Sequence, residues 1–210
     1  MLKTLLLIPP AYGYNFPPLG TPALCAYLKV NGFSSEQRDL NIGYRDFLLD
    51  SLEVPGLNPA LKKELLPLAL NQFFEDIPGS RYYSACLPRK KSYAFLPYLP
   101  YGDAGNSSFY FTENLLSSRH LFRYLDDADE NTFLRYYLDS GIAKTVKDGA
   151  FGLLGISVTS PSQAIAALTL CRLLKKEAPR AHLCLGGQWV TLFRKELLRR
   201  RDLCSVFDSF

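Results

Sequence analysis

Residues 151–187 read FGLLGISVTSPSQAIAALTLCRLLKKEAPRAHLCLGG. Two short apolar runs, FGLLGISV and HLCL, flank a longer segment with helical spacing. Continuous apolar runs bounded by Gly or Pro are the pattern of strands buried on both faces of a parallel sheet. Between them, Ser160 stands as an N-cap, Pro161 at the first helical position and Gln163 as the far arm of a capping box. Lys175 and Lys176 complement the dipole at the other end, and Ala178-Pro179 stops the helix. Ala164, Leu168 and Cys171, with Ile165 alongside, share one face. The stretch is a strand–helix–strand crossover, so the sheet is parallel.

Working outward, KTLLLI gives a first strand at about 2–8, followed by a helix at 19–31 and a second strand at 33–40. After a long insertion at 41–149 come a strand at 151–158, a helix at 161–177, a strand at 181–185, a helix at 190–200 and a fifth strand at 203–208. Helices alternating with buried strands predict an α/β fold, a Rossmann-like (flavodoxin-like) parallel five-stranded sheet of order 2-1-3-4-5. Ligands in such sheets bind beyond the carboxyl ends of the strands at the switch point, here between strands 1 and 3. Those ends are residues 9–20 and 157–163, with Gly186-Gly187 beside them.

With 210 residues, the chain has the size of a single domain, 1–210, carrying the insertion within it. Its 48% hydrophobic and 21% charged residues are ordinary for a globular protein. No apolar run approaches the ~18 residues needed to span a bilayer. The first residues, MLKTLLLI, carry one positive charge and meet Pro-Pro where a leader peptide has small residues, so they read as a buried strand. A net charge of +4, with clusters at Arg89-Lys90-Lys91 and Arg199-Arg200-Arg201, does not argue for nucleic acid. Cys25, Cys86, Cys171, Cys184 and Cys204 show no metal-binding or disulfide spacing, which points to a reducing cytoplasm.

An insertion of this length carries structure or function of its own. PALKKELLPLALNQFF, TENLLSSRHLFRYLDD and NTFLRYYLDSGIAKTVKDG have helical spacing, the last with Asn131 as N-cap and Gly149 as its stop. Tyr82, Tyr83, Tyr93, Tyr98, Tyr101 and Tyr110 crowd the segment between the first two. Both a helical subdomain with its own core and an aromatic lid over a ligand fit this composition.

Neither G-x-G-x-x-G nor G-x-x-x-x-G-K-[ST] occurs, so dinucleotides and nucleoside triphosphates are poor ligands for this edge. A phosphorylation receiver also fails, because acidic residues are absent from the ends of strands 1 and 3. What the edge offers is hydroxylic: Ser157 and Thr159 on one side of strand 3, then Ser160 and Ser162 opening the helix. Gly186 and Gly187 remove side chains after strand 4, either for a bulky ligand or for a tight turn.

P-P-x-G after strand 1 (FPPLGTPALCAYLKVNGF), a second strand ending in Asp-Leu-Asn, then LGISVTSPSQ and LCLGGQWVTLFRKELL together resemble the N-terminal cobalamin-binding domain of cobalamin-dependent radical S-adenosylmethionine enzymes. The resemblance covers about 1–41 and 151–208. It implies a corrinoid across the carboxyl edge, its nucleotide tail between sheet and helices. Pro18, Leu19 and Gly20 match the strand 1 turn, Ser157 and Thr159 the hydroxyl motif facing the tail, with Ser160 beside them, and Gly186 and Gly187 the strand 4 turn. Tyr12, Tyr14 and Phe16 then meet the corrin, or else plug the end of the core.

Two departures shape the expectation. Related cobalamin domains carry D-x-H-x-x-G after strand 1, whereas residues 9–20 hold neither His nor Asp, so cobalamin is expected base-off without a protein His ligand. His120 and His182 lie in the insertion and in strand 4. The family continues into a barrel whose C-x-x-x-C-x-x-C holds the 4Fe-4S cluster that cleaves S-adenosylmethionine. This sequence stops at SVFDSF, so the resemblance implies a fragment that is not catalytic alone and pairs with a downstream radical S-adenosylmethionine domain performing methyl transfer or radical rearrangement. Gly187→Leu is expected to block corrinoid binding with the fold intact. Two rival readings stay open: a cofactor-free Rossmann-like substrate-recognition or interaction module, and a flavin-binding flavodoxin-like protein.

Overall fold

The computed structural model describes residues 2–10, 18–51, 118–128, 131–160 and 163–210. At its centre β1 (Lys3–Ile8) is flanked by β2 (Ser34–Asp39) on one side and β3 (Leu153–Ser157) on the other, and β4 (His182–Gly186) follows β3. Every pairing is parallel. The order is therefore β2-β1-β3-β4, a doubly wound Rossmann-like α/β sheet. Leu5 and Leu7 of the central strand are fully buried, and β2, reading SSEQRD, forms a polar edge tied to β1 by Lys3 and Glu36 at 2.9 Å.

Strand alternation sorts the two faces. Leu5, Leu7, Leu154, Ile156, Leu183 and Leu185 share one hydrophobic core with α6 (Ala164–Glu177), the helix linking β3 to β4. The helix α1 (Gly20–Val30) packs on β1 and β2 and buries Thr21 and Cys25. Cys25 stands outside that core, which places α1 on the opposite face. Right-handed crossovers require this, because the chain moves one way from β1 to β2 and the other way from β3 to β4.

The helix α6 buries far more than one stripe: every residue from Ala164 to Cys171 is inaccessible. Its outer side is covered by the far end of the insertion, α3 (Ser118–Asp126), α4 (Thr132–Asp139) and α5 (Ile142–Gly149), while α2 (Leu40–Ser51) leaves β2 and packs on α4. Asn131 caps α4 as expected, its Oδ1 accepting the Leu134 N–H at 3.2 Å. The same side chain donates to Thr169 Oγ1 at 3.0 Å, fastening the insertion to α6. Tyr44, Phe47, Phe133 and Tyr136 interlock with ring centroids 5.5–6.4 Å apart between α2 and α4. The predicted single helix at 131–149 is two, parted at left-handed Gly141, and Ala150 rather than Gly149 takes the left-handed position after α5. The helix predicted in PALKKELLPLALNQFF and the tyrosine-rich segment lie outside the described residues.

The fifth strand expected at 203–208 does not form. After α7 (Gln188–Arg199) the chain makes a 3₁₀ turn at Leu203–Val206, and only Ser209 bridges to Cys184 beside β4. The reason lies in Asp208. Its carboxylate accepts the Leu183 N–H at 2.7 Å and pairs with Lys175, taking a β4 donor that a neighbouring strand's carbonyl would otherwise use. Among the described residues the sheet therefore has four strands, with the strand 5 position marked by one bridge.

Candidate functional site

The carboxyl ends of β1 and β3 are joined by one side chain. Gln163 is fully buried, and its Nε2 donates to the Pro9 carbonyl at 2.7 Å. Its Oε1 accepts three donors: the Thr159 N–H at 2.8 Å, the Thr159 hydroxyl at 2.9 Å and the Ser160 N–H at 3.1 Å. The contact from Gln163 back to the Ser160 N–H forms, but the helix begins at Ala164 with Gln163 itself at the N-cap rather than Ser160, so it is not the capping box expected from the sequence; the side chain reaches across to β1 instead. Thr159 and the Ser160 amide are committed to Gln163 at the N-cap of α6, while Ser157 stays on the ladder.

Ser157 pairs with Gly186 and is half-buried, with no side-chain hydrogen bond found among the described residues. Period-two alternation puts Ser157 on the face of Gly155, where Leu6 and α1 lie, away from the Ile156 face. The two glycines beside it differ. A Cβ on Gly186 would meet nothing within 4 Å, whereas at Gly187, with φ +107°, it would lie 2.2 Å from the Val158 carbonyl oxygen. Gly187 is required by the close approach of β3, and Gly186 opens onto space. A groove of about 580 Å³ borders Gly186, walled by Leu185, Val190, Arg194, Phe207 and Phe210 among others.

The strand 1 turn is described from Pro18 onward; Tyr12, Tyr14, Phe16 and Ser162 lie outside the described residues. Leu19 occupies the N-cap of α1 and offers no capping side chain, and Leu19 and Gly20 are exposed. Behind them Thr21 is 2% exposed, and its hydroxyl has no partner among the described residues. Sequence reasoning passed over Thr21 and over the reach of Gln163. The absent cap at Leu19 was the legible signal for the first; a contact spanning 154 residues leaves none for the second.

The histidines stand apart from this edge. His182 opens β4 at its amino end, with Nε2 2.8 Å from Ser209 Oγ, and His120 lies on α3. Among the described residues no three His, Cys, Asp or Glu side chains gather as a metal site, and no helix is long and apolar enough to cross a membrane. Cys25, Cys171, Cys184 and Cys204 are free thiols, and burial pushes the Cys171 thiol upward. No protein-family model, curated protein or solved structure matches the chain.

Proposed function

We propose that the chain is the cobalamin-binding module of a cobalamin-dependent radical S-adenosylmethionine enzyme. The observation that carries this reading is the pairing of Ser157 with Gly186 at the carboxyl edge: a half-buried hydroxyl with no hydrogen bond among the described residues, beside a residue open to space. A large planar ligand needs that room, and its polar substituents need such a hydroxyl. Pro18, Leu19 and Gly20 border the same edge, and this reading takes the corrinoid base-off, without a protein His ligand. In this reading the corrinoid supplies methyl transfer or radical control, and S-adenosylmethionine and a 4Fe-4S cluster belong to a partner domain. This chain's residues bind and orient.

The test is a visible absorption titration of the chain with hydroxocobalamin and methylcobalamin, read for release of the dimethylbenzimidazole base. Saturable base-off binding, lost in Gly186→Leu, is the expected result. Gly187→Leu cannot serve, since the Val158 backbone occupies the space its side chain needs. A cofactor-free recognition module is the second reading, favoured by Gln163, which already satisfies the Thr159 and Ser160 donors that a ligand would use. Absence of binding at near-millimolar cobalamin would select it.

A further inference from the structure

Among the described residues, nothing receives the first N–H donors of α1. A helix leaves its first N–H groups without intrahelical acceptors, and these with the dipole attract negative charge. Here Leu19 supplies no cap, no acidic residue stands in the first turn, and Pro22 has no N–H to offer. The amides of Gly20 and Thr21 remain, and the flank of Gly20 is open.

Thr21 adds an independent sign. Its hydroxyl is buried and unpartnered among the described residues, a state that ordinarily costs free energy and calls for a missing partner. Helical Cα–Cβ bonds tilt toward the N-terminus, so a side chain in the first turn lies over the end of the helix where the free amides are. A hydroxyl and two amides around one helix end suit a tetrahedral oxyanion, which presents several acceptor oxygens at once; a carboxylate presents two.

We propose that the N-terminus of α1 is a seat for a phosphate ester, held by the Gly20 and Thr21 amides and the Thr21 hydroxyl. The seat lies at the carboxyl edge on the face of the sheet that carries Ser157. It stands on Thr21 and not on the corrinoid reading. The phosphate has two chemical sources: the phosphodiester in the nucleotide tail of a cobalamin, or a free phosphate-bearing small molecule.

The experiment uses the full chain, with inorganic phosphate followed by ³¹P line broadening and acetate as control. Wild type is expected to bind phosphate saturably and acetate more weakly. Thr21→Val, the same shape without the hydroxyl, should weaken phosphate roughly tenfold, the effect of one hydrogen bond to a charged group. Leu19→Asp should abolish binding, because its carboxylate caps the same amides, and should melt no lower than wild type. Phosphate affinity unchanged in both folded variants, or no binding by wild type at tens of millimolar, overturns the seat. The source is read by repeating the series with hydroxocobalamin and with cobinamide, which lacks the nucleotide tail. Loss of affinity in Leu19→Asp for the first only assigns the seat to the tail phosphodiester. Phosphate binding without corrinoid binding assigns it to a free phosphate ester, and there the corrinoid reading fails while the seat stands.

Discussion

Gln163 concentrates much of the switch point in one amide. Of its four side-chain hydrogen bonds, the one to the Pro9 carbonyl is buried and the three from Thr159 and Ser160 are partly buried, so the Pro9 carbonyl is the partner that solvent is least able to replace. Gln163→Leu keeps the bulk and strands the Pro9 carbonyl with the Thr159 and Ser160 donors, so a loss of about 2–4 kcal/mol is expected in urea unfolding. A loss under about 0.5 kcal/mol, the range of ordinary surface substitutions, would mean that water enters and takes over. Ala150 makes the opposite case. At φ +47° it holds a conformation that glycine adopts without the Cβ penalty, so Ala150→Gly should raise stability by about 0.5–1 kcal/mol. The same substitution lowers stability at ordinary helical positions, which makes the sign of the change the measurement.

At the scale of elements, Asn131 decides how the insertion meets the sheet domain. Its oxygen caps α4 and its nitrogen reaches Thr169 on α6, so one residue both starts a helix and docks it. Asn131→Ala should cost about 2 kcal/mol, the upper range for a lost cap, because the docking bond goes with it. Asn131→Asp separates the two roles: the cap to the Leu134 N–H survives, while Thr169 loses its donor. Hydrogen exchange should then show α4 amides still protected but α3 amides opening in the Asn131→Asp variant, and α4 and α3 both opening in the Asn131→Ala variant. Equal protection in Asn131→Asp and wild type would show that the cap alone matters. Asp126 reinforces this docking. Burial works to raise its pKa, but the Arg172 guanidinium and Lys176 outweigh it and hold it below the usual carboxylate range.

Across the whole molecule, the parts of the fold legible in sequence are those with local causes. The runs KTLLLI and LLGIS and the Asn131 cap each follow from spacing or chemistry within a few residues. The fifth strand was misread because Asp208 competes for a β4 donor through its side chain, a contest that no periodicity records. The one-sided face assigned to α6 was too narrow because α3, α4 and α5 cover its outer side. Of the candidate site, Ser157 and Gly186 follow from strand ends, whereas Thr21 and the bridge from Gln163 to Pro9 arise from long-range packing.

Carboxylate pairing at the sheet margins also sets how the molecule responds to acid. Glu36 is held low by its hydrogen bond from Lys3 against the opposing effect of burial, and Asp208 by the Leu183 N–H and then Lys175. With Asp126, these are groups whose folded pKa lies below the unfolded value, so their stabilisation is present above about pH 4 and is lost as pH falls through the folded values. Asp39 has the opposite sign: burial raises it despite the Asn41 and Ile42 N–H groups, so protonation relieves a penalty in the folded state. Three depressed carboxylates outweigh one raised, and exposed pairs contribute about 0–1 kcal/mol each. The unfolding free energy read from urea titrations should therefore hold steady from pH 7 to about 5 and fall below about 4, by an amount on the order of 1–2 kcal/mol. Asp208→Ala should flatten that fall and speed exchange of the Leu183 amide at neutral pH, because one carboxylate both answers Lys175 and occupies the position where a fifth strand would pair. An unfolding free energy unchanged down to pH 3 would show that these pairs add nothing to the fold, and Leu183 exchange unaffected by the substitution would remove Asp208 as the reason the strand is absent.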